Sequence, residues 1–82
     1  MKYIKMSEMK EGERGRVKEL LSEGRVKRRM MDLGFTPEAE VEMIMRSPSK
    51  SPAAYLIRGT VIAFRDKDAG LIKVGVEDEE VG

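Results

Sequence analysis

The chain holds 82 residues, enough for one domain and one modest core but not for separate catalytic and regulatory lobes. Apolar residues make up 40% and aromatics 5%, with no Trp, so the core is expected to be aliphatic and built mainly from Val, Ile, Leu and Met. Cys and His are both absent, which removes disulfides, thiolate and imidazole metal sites and the usual general base near neutral pH.

The first stretch, "IKMSEMKEGERG" (4–15), reads as a single helical turn capped by Ser7 and ended by Gly12, with Met6 and Met9 buried. "RGRVKELL" (14–21) supplies a strand with Val17 on one face and Arg16 and Lys18 on the other, and "SEG" (22–24) turns the chain. In "RVKRRMMDLG" (25–34), Val26, Met30 and Leu33 fall at i, i+4 and i+7 and share one side of a short helix. Gly34 takes the left-handed position after it, and Phe35 folds back on Met30, the contact that accompanies a Schellman ending.

After the turn "TPEAE" (36–40), "EVEMIMR" (40–46) alternates Val41, Met43 and Met45 against Glu40, Glu42 and Arg46, with Ile44 as the exception. "SPSKSPA" (47–53) is a loop. "AYLIRG" and "TVIAFR" form a hairpin joined through Gly59 and Thr60, "DKDAG" (66–70) is a brief turn, and "LIKVGV" closes with Ile72, Val74 and Val76 on one face. The expected fold is mainly β, a small SH3-like barrel of about five strands with one short inserted helix, over 1–76 as a single domain. Residues 77–82 read as an acidic, flexible tail.

Net charge is +1, but "EDEE" (77–80) holds four negative charges and leaves residues 1–76 with a surplus of five positive ones. Seven cations fall between Arg14 and Arg29 against Glu19 and Glu23. The candidate contacts for a macromolecular partner are therefore Arg25, Lys27, Arg28 and the off-stripe Met31, while Val26, Met30, Leu33, Gly34 and Phe35 are read as the structural corner. A basic helix face beside a thioether suits an acidic protein surface, although a helix face of this kind is more often simply solvated. No pattern of residues points to catalysis, and none to a resident metal or cofactor. Scarce aromatics argue against nucleic-acid binding, the principal rival reading for a small basic barrel. No apolar run approaches the ~20 residues of a membrane span, and the N-terminus lacks a secretory core, so a cytosolic protein is expected.

The order of these blocks resembles the FeoA family of ferrous-iron transport proteins from about Lys5 to Val76. Arg29-Met30 followed by Leu33-Gly34-Phe35-Thr36-Pro37 is similar to the family's R-L-x-x-L-G-F-x-P corner, with Met for Leu. Ile62-Ala63-Phe64-Arg65 with Ala69, Ile72 and Val74 forms the second block. The resemblance implies an SH3-like barrel also similar to the C-terminal domain of iron-dependent repressors. It further implies a non-catalytic accessory protein beside a membrane ferrous-iron transporter that carries a cytosolic GTPase domain, placing this chain at the inner face of the membrane through that partner. A stand-alone regulatory or dimer-forming domain is the remaining alternative. One departure concerns Glu38, where relatives usually have Gly: a type II turn with positive φ would be strained there, so a type I turn is expected.

Overall fold

Apolar alternation along the chain is converted into one antiparallel sheet in the computed structural model, which describes residues 1–77. The strands are β1 (Lys2–Lys5), β2 (Arg14–Leu20), β3 (Glu40–Arg46), β4 (Ala53–Ile57), β5 (Thr60–Phe64) and β6 (Ile72–Val76). Helix α1 (Gly24–Asp32) joins β2 to β3, a four-residue α2 (Asp66–Ala69) joins β5 to β6, and a 3-10 turn covers Met6–Glu8. Spatial order is β1-β6-β2-β3-β4-β5, so the chain's first and last strands pair with each other and then with β2. This mainly β, SH3-like architecture agrees with expectation, but it holds six strands rather than five. β1 has no local strand pattern, because its strand character comes from pairing with β6, more than 60 residues away in sequence (Lys2↔Val76).

The core follows the alternation closely. Val17, Val41, Met43, Tyr55, Ile57, Ile72, Val74 and Val76 point inward and are almost wholly inaccessible. Met6 and Met9 seal one end, and the Tyr55 hydroxyl donates to the Met6 carbonyl at 3.3 Å. Phe64 packs edge-on against Phe35, with ring centroids 5.3 Å apart, and against Tyr55 at 6.2 Å. Such contacts let a domain with four aromatic rings close a core otherwise made of flexible side chains.

Four local expectations are corrected. Ser7 lies within the 3-10 turn rather than capping it; Lys5 holds the cap position and its N–H is satisfied by the Glu8 carboxylate at 2.8 Å. Met45 is exposed, because the β3–β4 register steps from Met43↔Tyr55 to Met45↔Ala54 and the extra residue, Ile44, turns the following side chain outward. The hairpin turn is Arg58-Gly59, closing on Ile57↔Thr60, with positive φ at both positions (48° and 78°), the signature of a type I′ turn. The turn Thr36–Ala39 carries Glu38 at φ 69°, the type II form expected to be strained. It is held by three contacts: the Glu38 N–H donates to the Val17 carbonyl at 2.7 Å, Arg16 donates to the Glu38 carbonyl at 3.1 Å, and Lys18 Nζ reaches the Glu38 carboxylate at 2.7 Å.

Among the described residues no helix is long and apolar enough to cross a membrane. The acidic tail expected over 77–82 lies, beyond Glu77, outside the described residues.

Candidate docking surface

Helix α1 is an improbable helix on local grounds. It begins at Gly24, its cap residue Glu23 makes no side-chain hydrogen bond, and its first turn holds no acidic residue within the helix. Arg25 and Lys27 instead place positive charge where the helix dipole is already positive. What holds it is its other end. The Phe35 N–H donates to the Met30 carbonyl and the Gly34 N–H to the Met31 carbonyl, both at 3.0 Å, which together make a Schellman ending, with Gly34 at φ 115°. Phe35 and Met30 are buried in the same core. Arg58, from the hairpin turn, adds a fork: Nε donates to the Gly34 carbonyl at 3.2 Å and Nη2 to Thr36 Oγ1 at 2.6 Å.

Met30 is the buried residue of α1, at 4% exposure. Val26 and Leu33, expected to pack inward with it, are 48% and 38% exposed. The correction has a simple cause: a nine-residue helix anchored through one side chain and its C-terminal corner stands off from the sheet, so the apolar stripe on either side of the anchor stays open to water.

Arg25, Lys27, Arg28 and Met31 are all exposed, Met31 by 41%. They do not form one cluster. Lys27 and Met31 border a groove of about 280 Å³ between α1 and β2, whose floor includes Val17, Leu20, Phe35 and Pro37. On the opposite flank, Val26, Arg29 and Leu33 border a groove of about 400 Å³ against β5. Arg25 lies four residues before Arg29, on that second flank, and Arg28 points away from both grooves by helical spacing. Arg29, which the sequence reading placed with the corner block and not among the candidate contacts, borders the second groove.

Among the described residues no group of three or more Asp or Glu gathers, and His and Cys are absent from the sequence. Burial pushes the Tyr55 phenol above its ordinary range, an effect increased by Asp66 and opposed by Arg46. That hydroxyl faces the core end of the molecule and is engaged with Met6, so it serves packing. Arg46 does similar work beside it, donating to the carbonyls of Ser7 and Met9 at 2.7 and 2.9 Å.

Comparison with known proteins gives one consistent pattern. Residues 4–76 match the family profile described as FeoA domain. The FeoA protein of Chlorobium tepidum is 30% identical, with TM-score 0.85 over 96% of this chain and 75% of that one. The FeoA of Stenotrophomonas maltophilia, solved with zinc and described as an SH3 domain protein and candidate ferrous iron transport activating factor, is 25% identical, with TM-score 0.75 over 88% and 89%. A manganese-dependent transcriptional repressor shares the fold alone, 13% identical, with TM-score 0.80 over 92% of this chain and 42% of that one. No curated protein matches the chain significantly.

Proposed function

The chain belongs to the FeoA family, and from that premise we propose that it is an accessory protein of ferrous-iron uptake that docks on the cytosolic GTPase part of a membrane iron transporter. Docking brings it to the inner face of the membrane, where it modulates the transporter by contact and performs no chemistry of its own. The observation that carries this reading is the state of α1, a helix with four exposed cations, Arg25, Lys27, Arg28 and Arg29, and an exposed Met31 beside an apolar-floored groove.

The helix is electrostatically frustrated while the chain is alone. Cations at a helix N-terminus cost a few tenths of a kcal/mol to about 1 kcal/mol, and an acidic partner surface would relieve that cost while gaining ion pairs. Met31 and the floor of the groove add an adaptable apolar contact beside Lys27. Iron is the partner's cargo in this reading, consistent with a chain that has neither thiolate nor imidazole ligands for holding it.

The test is capture from detergent-solubilised membranes on immobilised protein. The leading captured protein should be a transporter with a GTPase domain. Capture of nucleic acid in its place, or of no membrane protein, would overturn the proposal.

A further inference from the structure

We propose that the outer edge of β5, together with the groove between β5 and α1, accepts an extended acidic segment of a partner protein as an added strand. The site lies on the opposite flank of α1 from the Lys27–Met31 groove and does not depend on it.

The two edges of the sheet are built differently. β1, at one end of the strand order, is four residues long and carries Lys at both ends, a familiar protection against pairing with another chain. β5, at the other end, reads "TVIAF", with no charge and no proline. Its two-residue turn closes on Ile57↔Thr60, and such a turn closes on a hydrogen-bonded pair. Pairs then alternate, so Thr60, Ile62 and Phe64 exchange bonds with β4 while the N–H and C=O of Val61 and Ala63 face the open edge.

The side chains beside that edge are equally unfinished. Val26 and Leu33 are 48% and 38% exposed and border the groove with Ile62 and Phe64. A strand laid along β5 projects alternate side chains over this apolar floor and the others to solvent. Its charge is set by the rim. Arg29 borders the groove, Arg25 lies on the same flank of α1, and Arg58 and Arg65 flank the two ends of β5, against Asp68 on the groove wall. A second copy of this chain would bring the same arginines face to face, so the complement is an acidic strand from a different protein.

The probe is an end-blocked synthetic peptide of alternating valine and glutamate, with a valine–lysine peptide as counterpart, followed by fluorescence anisotropy and amide exchange. The glutamate peptide should bind the full chain and slow exchange at Val61 and Ala63, and the lysine peptide should bind about tenfold more weakly or worse. Ala63→Pro removes an N–H that faces only the free edge and should weaken binding by about tenfold while the protein still unfolds cooperatively. If that variant folds poorly, Val61→Glu, which places a like charge beside the same edge, should give the same loss of glutamate-peptide binding. Any of four results overturns the proposal: no binding at millimolar peptide, equal binding of the two peptides, protection at β1 instead of β5, or concentration-dependent protection of β5 by the chain alone.

Discussion

Arg58 Nε donates to the carbonyl oxygen of Gly34 at 3.2 Å, so the turn between β4 and β5 is tied to the residue that ends α1. Both residues hold positive φ, 48° and 115°. At a non-glycine residue such a backbone costs of order 1–3 kcal/mol and persists only where its surroundings fix it. Here the second bond of the fork, to Thr36 Oγ1, completes the fixing. The Gly34 position also has no room for a side chain, since a Cβ would come within 2.8 Å of Arg58 Cδ.

Replacing Arg58 by Ala keeps the strained turn and deletes the fork, so it should destabilise the domain by about 1–2 kcal/mol in urea unfolding. Arg58→Asn loses the fork too, but Asn tolerates the left-handed region and should cost less. An unchanged urea midpoint for Arg58→Ala would show that the corner stands without its tether.

Met30 and Leu33 were expected to share the core, and their different exposures, 4% and 38%, separate them experimentally. Met30→Ala should cost about 2–4 kcal/mol, while Leu33→Ala should cost less than about 1 kcal/mol. Comparable losses for both would mean that α1 is seated more deeply than this structure has it.

Arg25→Glu should raise the stability of the isolated chain by about 0.5 kcal/mol, because it exchanges an unfavourable charge in the first helical turn for a favourable one. The same substitution should weaken docking. A thermal melt and a binding titration on one preparation check both signs, and a variant gaining or losing in both respects would break the link between helix frustration and partner binding.

Tyr55 gives a pH dependence with a definite sign. Its phenol is raised in the folded state, chiefly by burial, so the unfolded chain releases that proton first as pH rises. Stability attributable to Tyr55 is fully present below the unfolded value near 10 and is lost as pH climbs through the folded one. Tyr55→Phe should therefore show a shallower alkaline fall in unfolding free energy than the parent. Parallel curves above pH 10 would contradict the assignment.

The legible parts of this fold were those encoded by short-range pattern. The inward faces of β2 and β6, the burial of Met30 and the glycine corner followed from spacing alone, because each depends on residues within a few positions of one another; Val26 and Leu33 on the same stripe did not. The rest depended on partners distant in sequence. β1 is a strand only beside β6; Met45 is turned out by a bulge visible only against Tyr55 and Ala54; Glu38 tolerates positive φ because Val17, Arg16 and Lys18 hold it. The arrangement of the candidate docking residues was not legible for the same reason. The charge surplus of α1 could be counted, but Lys27 and Arg29 are sent to opposite grooves by the way one anchored side chain sets the helix on the sheet.

The most direct test of the central claim is a titration of the transporter's isolated cytosolic GTPase domain with this chain, alongside the triple variant Arg25→Glu, Lys27→Glu and Arg28→Glu. The parent should bind with an affinity that falls as salt rises, and the variant should bind at least tenfold more weakly at a retained fold. Equal affinity for the two proteins, with no dependence on salt, would contradict docking through the basic face of α1.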